Sequence, residues 1–286
     1  MRYEFMAAHE GQYAVKRMCR ALNVSRSGYY AWRGRPVSPR TQANELLLGR
    51  IREEFQASRR TYGSPRIHAA LKRTGANCGR HRVVRLMRLY GMTATNRRRR
   101  FPRTTQRNAQ AHAAPNLLWQ DFSSPAPDRK WVSDITYIDT AEGWLYLAVV
   151  MDLFSRRVVG WAMADHTQTS LVQEAFKMAL LRRQPDKGLL HHSDQGSQYT
   201  SEAYQQILRS HHCSVSMSRV GNCYDNAAIE SFFGTLKTEC AHQRYATRAQ
   251  ARTSIFEYIE AWYNPKRLHS ALLYTSPVEF ELSSRH

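Results

Sequence analysis

The spacing of apolar residues changes part-way along this chain, from helical to strand-like, and that change limits the folds open to it. Up to Gly91 the apolar positions recur at helical intervals, as in "YAVKRMCRALNV", where Val15, Met18, Cys19 and Leu22 share one face. From Trp131 the period becomes two: "KWVSDITYIDT" alternates, "AEG" turns the chain, "WLYLAVVMDLFS" is nearly continuously apolar and "RRVVGWAMAD" follows. These runs predict three antiparallel strands in a meander. "TSLVQEAFKMALLRR" then reads as an amphipathic helix crossing to a short buried strand, "GLLHHSD". The helix "SEAYQQILRSHH" and the strand "CSVSMS" come next, so the sheet is mixed. Two further helices are expected in "DNAAIESFFGTLKTEC" and in "RAQARTSIFEYIEAWYN", the latter ending at Pro265. The fold class is therefore α/β, a helical N-terminal region followed by a mixed sheet flanked by helices. The 286 residues leave room for about two domains.

The helical region reads as two helix-turn-helix units. In the first, Ser25 or Ser27 is placed to cap the second helix. In the second, "ANELLLGRIREEFQ" leads into "YGSPRIHAALKRTG", with Ser64 as N-cap, Pro65 in the first turn and a stop near Gly75. A third helix, "CGRHRVVRLMRLYG", places Val83, Leu86, Met87 and Tyr90 on one face and leaves Arg82, Arg85 and Arg88 largely outside it. Charge says what such a face is for. The net charge is +19, and residues 1–110 hold 25 of the 42 Lys and Arg but only 5 of the 23 Asp and Glu, while the remainder is nearly balanced. An excess confined to one half is the footprint of a polyanion binder, with double-stranded DNA the favoured partner. A plain helical bundle with a solvated basic face is the competing reading. After Gly91 the run "NRRRRFPRTTQRNAQAHAAPN" has six arginines between Arg97 and Arg107 and no apolar period. It reads as a linker whose Arg97, Arg98, Arg99 and Arg100 lie along a nucleic-acid backbone. No apolar run approaches a membrane span and no leader is evident, so a cytoplasmic, nucleoid-associated protein without a membrane partner is expected. Five cysteines with no C-x-x-C pair argue for reduced thiols and against a zinc knuckle.

Three acidic residues sit where packing alone would not put them. Asp134 interrupts the apolar strand "WVSDITYI", where it carries a desolvation cost. Asp194 ends the strand "GLLHHSD" ahead of a glycine-containing turn, and its simple reading is a turn residue bonded to the following backbone. Glu230 lies in a helix otherwise patterned to pack, one turn beyond Asp225 or Asn226. If the first and fourth strands are neighbours and the helix covers their ends, the three carboxylates converge. Their mutual repulsion then calls for a hard divalent cation with oxygen ligands, Mg²⁺ with Mn²⁺ as substitute. Zinc at "HHSD" fits poorly, because His191 and His192 point to opposite faces of a strand. Asp152 reads instead as a turn partner of Ser155 and the two arginines after it, and Asp225 as a helix cap.

The order Asp134, Asp194 and Glu230, with 35 residues between the last two, resembles the D,D(35)E triad of the retroviral-integrase superfamily, whose core is RNase H-like. The blocks "WVSDITYI", "GWLYLAVVMDLFSRRVVGW", "HHSDQGSQY", "GNCYDNAAIESFFGTLKTE" and "YNPKRLHSALLYTSPVEF" resemble the second-frame (OrfB) transposase of bacterial insertion sequence family three. "CRALNVSRSGYYAW" and "RRTYGSPRIHAAL" extend the match over nearly the whole chain. The resemblance implies short helix-turn-helix-like residues 1–40, a helical DNA-binding domain 41–95, a basic linker 96–128, a catalytic core 129–245 and a C-terminal helical extension 246–286. It implies a metal-dependent polynucleotidyl transferase that cuts and joins DNA at terminal inverted repeats and in target DNA. Asp134, Asp194 and Glu230 would be its two-metal ligands, and Lys237 its phosphate contact. A homo-oligomer on DNA and an upstream-frame partner or fusion are implied with it. The family's usual tail reads H-S-A-L-G-Y, and Leu273 stands here in the place of the glycine, which bears on a local turn rather than on the metal site. A non-catalytic DNA-binding regulator on the same fold is the alternative, although it would not need all three carboxylates. A retroviral-type integrase lacks support, because its N-terminal His and Cys pairs are missing.

Overall fold

The computed structural model describes residues 1–95, 114–219, 222–241 and 244–284, so the linker arginines Arg97, Arg98, Arg99 and Arg100 lie outside the described residues. The chain divides into two compact units, Met1–Glu53 and Glu54–His286.

The first unit contains α1 (Arg2–Ala8), α2 (Val15–Ala21), α3 (Arg26–Arg33) and most of α4 (Pro39–Ala57). Its core is the buried cluster Met6, Met18, Cys19 and Tyr29, against which Val15 and Leu22 pack, so the helical face expected of α2 is the one used. Of the two serines able to cap α3, Ser25 does so, its hydroxyl accepting from the Gly28 N–H at 3.0 Å. Helix α1 was not legible in its short, weakly periodic sequence, and it is held by Met6, which is fully buried.

In the second unit α5 (Ser64–Arg73) and α6 (Arg80–Leu89) pack together through Ile67, Leu71, Val83, Leu86 and Met87, all buried. Ser64 is the first residue of α5 and not its cap. Gly63 occupies the cap position and offers no side chain, while Pro65 sits in the first turn, where its missing N–H costs nothing. Tyr90 also differs from expectation: it is the C-cap of α6 and 47% exposed, outside the buried face. Arg85 and Arg88 are exposed and Arg82 is half-buried. Both ends of α5 dock on the C-terminal part of the chain. The Leu268 N–H donates to the Tyr62 hydroxyl at 2.7 Å, Arg66 Nε donates to the Leu268 carbonyl at 3.0 Å, and Arg73 pairs with Glu279.

The sheet comprises β1 (Lys130–Thr140), β2 (Gly143–Asp152), β3 (Val158–Ala164), β4 (Leu190–Ser193) and β5 (Ser214–Met217) in the order β3-β2-β1-β4-β5. β1, β2 and β3 form the antiparallel meander, and β4 joins β1 in parallel after the crossover helix α7 (Thr169–Arg183). α8 (Ser197–Thr200) and α9 (Glu202–Ser210) lead into β5, which is parallel to β4. One face of the sheet packs on α7 and α9 through Trp131, Phe176, Tyr204 and Leu208, each of them fully buried or nearly so. The approach of α7 to β3 is set by Gly160, where an added Cβ would fall 2.2 Å from the Ala175 carbonyl oxygen.

The other face is covered by α10 (Ala227–Glu239) and α11 (Arg248–Phe256), with Ile229, Phe232, Leu236, Ile255 and Tyr258 buried. The helix expected to run to Pro265 widens into a π-helical stretch over Glu257–Tyr263, closed by the Asn264 N–H on the Ile259 carbonyl at 3.1 Å. Asn264 then caps β3, donating to and accepting from the Val158 backbone at 2.9 and 3.0 Å. The C-terminal α12 (Pro277–Ser283) opens with a capping box between Ser276 and Glu279. Just before it, Leu273 and Tyr274 both have left-handed backbone, with φ of 53° and 60°. Among the described residues no helix is long and apolar enough to cross a membrane.

Candidate active site

Asp134 and Asp194 owe their proximity to the parallel pairing of β1 with β4. The paired register ends at Ser133 opposite Ser193, so the next residue of each strand is one of the two aspartates. β1 runs on to Thr140 while β4 stops, and this leaves Asp194 at an open strand end. Its Oδ1 accepts from the Gly196 N–H at 2.9 Å, the turn contact expected of an Asp before glycine. Asp134 Oδ1 accepts from the Ile135 N–H at 2.7 Å. Glu230 comes from the first turns of α10, which packs against β1.

The electrostatics link the three. The Asp134 carboxyl is held well above the usual carboxylate range, first by burial, then by the charge of Asp194, with a smaller push from Glu230 and an opposing pull from Lys237. Glu230 is exposed by surface area, yet the protein around it desolvates the carboxylate enough to raise its pKa. Among the described residues no three His, Cys, Asp or Glu side chains are close enough to enclose a metal ion. Asp134 thus feels the charge of both other carboxylates. The donor set, all carboxylate oxygen, fits a hard divalent cation and not zinc.

Lys237 lies two turns along α10 from Glu230. Its Nζ sits 4.3 Å from the centre of the Tyr137 ring, and burial pushes its pKa down to about 8 against the pull of Asp134. Lys237, the phosphate contact that the resemblance implies, is therefore half-buried and feels the charge of Asp134.

His191 and His192 do point to opposite faces. His191 Nε2 lies 2.9 Å from Ser133 Oγ and 3.0 Å from the Tyr204 hydroxyl, while His192 bridges Ser216 and Ser218 at 2.8 and 3.1 Å. Burial pushes them down to about 3 and about 4, so both are neutral packing and hydrogen-bonding groups at pH 7.

The two acidic decoys have different partners from those expected. Asp152 is buried and accepts from the backbone N–H groups of Asp128, Phe154 and Ser155, with its carboxyl pushed up to about 6 by desolvation. Of its expected partners only Ser155 is found. Arg156 donates to the Phe122 carbonyl, and Arg157 pairs with Glu281. Asp225 is not a helix cap. Its fully buried carboxylate accepts from Asn116, from Gln120 and three times from Arg219, all at 2.9–3.0 Å, which holds its pKa well below the usual range. The next residue, Asn226, reaches the Ser133 carbonyl at 3.4 Å, beside Asp134. Two of these partners, Asn116 and Gln120, lie more than 100 residues away and leave no local spacing to read, and Arg219 six residues back fits no capping pattern. A second unforeseen group is the buried pair of Glu239, at the end of α10, with Arg267, joined by Tyr258.

Residues 124–223 match the integrase core domain family, residues 230–284 match a second integrase core domain family, and residues 42–100 match an HTH-like domain family. Transposase InsF for insertion sequence IS3A from Escherichia coli strain K12 is 41% identical over 287 residues, covering 98% of this chain and 98% of its own. The chain belongs to the IS3-family transposases. An uncharacterized 31 kDa protein of insertion element IS600 from Shigella sonnei is 43% identical over 264 residues, covering 92% of this chain and 97% of its own. Among solved structures, the catalytic core domain of HTLV-2 integrase in complex with magnesium is similar with a TM-score of 0.42 and 16% identity, covering 55% of this chain and 99% of that one. This IS3-family transposase thus has an HTH-like domain ahead of an integrase core, and the α/β architecture described above is that core with its flanking helices.

Proposed function

We propose that this transposase cuts DNA strands at the ends of its insertion sequence and joins them to target DNA at a site formed by Asp134, Asp194 and Glu230. The observation that carries this reading is the pairing of β1 with β4, which sets the buried Asp134 carboxyl on β1 beside the charge of Asp194 just past the end of β4, with a third carboxylate on the covering helix. Bound there, Mg²⁺ or Mn²⁺ would activate the attacking oxygen and stabilise the leaving oxygen of a phosphodiester. The three carboxylates would hold the cations through their oxygens. Lys237, beside Asp134 but no carboxylate, meets a phosphate oxygen of the bound strand and positions it.

The DNA is held by the basic half of the chain. Arg85 and Arg88 on the exposed side of α6, with Arg82 half-buried beside them, face outward from a helix whose other side is fixed by Val83, Leu86 and Met87. Their contacts, together with those of Arg97, Arg98, Arg99 and Arg100 in the linker, are to duplex DNA at the terminal inverted repeats and in the target. Two ends must be joined in one reaction, so the active form is a homo-oligomer on DNA, with an upstream-frame polypeptide as a further partner. The protein acts on DNA in the bacterial cytoplasm.

The test is strand cleavage and joining on a duplex carrying the element's end, with Mg²⁺ supplied or chelated. Asp134→Asn, Asp194→Asn and Glu230→Gln should each abolish both steps while duplex affinity stays near wild type. Binding without cleavage by the wild-type chain itself would favour the regulator reading instead.

A further inference from the structure

Trp119 is displayed in a way that surface packing does not account for. Its side chain is 67% exposed, and it and Gln120 stand in consecutive left-handed positions, with φ of 47° and 62°. A bulky residue there is a genuine outlier, and such strain persists only where the surroundings impose it. Here they do. Asn116 Oδ1 accepts from the Leu118 and Trp119 N–H groups at 3.0 and 2.9 Å, and the Leu117 N–H donates to Ser216 Oγ at 2.8 Å. Asn116 and Gln120 both donate to the buried carboxylate of Asp225, which also grips the guanidinium of Arg219 through both its oxygens. That guanidinium lies 5.3 Å from the centre of the Trp119 ring, so the indole is held against a fixed cation with much of its surface open.

This platform is tied to the carboxylate site. Ser216 and Ser218 link it to His192 on β4, two residues before Asp194. Asn226, next to Asp225, links it to the Ser133 carbonyl next to Asp134. A rigid, exposed aromatic ring with an arginine beside it, next to a site that handles a phosphodiester, matches the chemistry by which proteins hold unpaired nucleotides: the ring stacks on a base and the cation meets the backbone charge.

We propose that Trp119 is a stacking platform for an unpaired base of the DNA strand lying in the carboxylate site, held in position by Arg219 and the Asp225 hub. The proposal takes its ligand from the DNA-processing reading above. The stacked base keeps a frayed end from re-pairing, so the strand stays extended toward Asp134 and Asp194.

The test uses the full-length chain in chelator, where no cleavage occurs, and compares fluorescence anisotropy titrations of a blunt duplex with the same duplex carrying a short 3′ thymidine overhang. Base-on-aromatic stacking tolerates sequence, so thymidine suffices, and a single stacked base should favour the overhang about tenfold. Trp119→Ala should lose that preference and keep the affinity for blunt duplex, and Trp119→Phe should retain most of the preference. Three results would each overturn the proposal: no overhang preference in the wild type, an undiminished preference in Trp119→Ala, or an equal loss for both duplexes. A fall in oligomer size for Trp119→Ala in sedimentation, with the preference intact, would assign the ring to protein contact. Because no cleavage is measured, failure of the carboxylate reading leaves this result interpretable, and the reverse also holds.

Discussion

Asp134 and Asp194 follow directly on Ser133 and Ser193, the last paired residues of the parallel strands β1 and β4, so one register sets both carboxylates. A slip of one residue would send the two aspartates to opposite faces. Burial of Asp134, with the charge of Asp194 beside it, costs stability at neutral pH, because the raised pKa means that its ionised form is disfavoured by the fold. In chelator, Asp134→Asn should therefore unfold at the same temperature as the wild type or higher. Added Mg²⁺ should raise the wild-type melting temperature and leave that of Asp134→Asn nearly unmoved, since a ligand that binds only the native state stabilises it by mass action. Differential scanning fluorimetry with and without Mg²⁺ reads both, and an equal Mg²⁺ shift in the two proteins would sink the assignment of Asp134.

Lys237 stands over Tyr137 with its stem half-buried, so its replacement removes packing as well as charge. Lys237→Ala should lower strand cleavage about tenfold or more, on the scale of a lost charge-assisted hydrogen bond to phosphate. Lys237→Arg should keep much of the activity, because guanidinium retains the charge and stacks on an aromatic face. Cleavage assays on the end duplex, paired with thermal melts, separate the two losses. An inactive Lys237→Arg of normal stability would show that more than charge and reach is needed.

The buried histidines make stability depend on pH in a direction that can be stated. His191 is held neutral down to about pH 3 in the fold and takes up a proton near its ordinary value when unfolded. Below about pH 6.5 the unfolded chain binds more protons, so the stability this residue contributes is complete above that pH and is lost as pH falls toward 3. Asp152, pushed up to about 6, works the other way, so the wild-type curve alone is ambiguous. The difference between wild type and His191→Phe isolates the histidine. It should shrink by roughly 1.4 kcal/mol for each pH unit below 6.5, read by urea unfolding at pH 6.5, 5.5 and 4.5. A pH-independent difference would mean that His191 is not held neutral in the fold.

The meander, the crossover and the terminal aspartate of β4 were legible because period-two runs such as "KWVSDITYIDT" and the amphipathic α7 encode their own geometry locally. The two faces of His191 and His192 followed from strand alternation alone. What escaped was long-range. Asp225 looked like a cap because it precedes a helix, yet its partners come from residues 116–120 and from Arg219. Ser64 looked like a cap for the same local reason, and the backbone places Gly63 there instead. Glu239 and Arg267 are hidden from pattern reading altogether, since a buried ion pair is written as two ordinary surface residues. The carboxylate site is intermediate: the residue types and the odd placement of Asp134 were visible, whereas the adjacency of β1 and β4 required the tertiary fold.

Leu273 joins sequence and structure in one testable place. The resemblance read from the sequence leads one to expect glycine at this point, and here the backbone is left-handed, with φ of 53°, followed by Tyr274 at 60°. A branched aliphatic residue is strained in that region, where glycine is not. The Leu273 side chain is 86% exposed, so it returns little by packing. The turn itself is needed: the Tyr274 N–H and the Thr275 carbonyl both bond to His269, closing the loop that leads to α12 and to the Arg73–Glu279 pair. Relief of strain should exceed the extra freedom that glycine gives the unfolded chain, so Leu273→Gly should stabilise the protein by about 1 kcal/mol. Leu273→Asn should stabilise it less, because asparagine enters the left-handed region more readily than leucine but less readily than glycine. Thermal melts of the three proteins at one pH decide it, and an order in which leucine ranks first would show that the side chain has a role its exposure does not reveal.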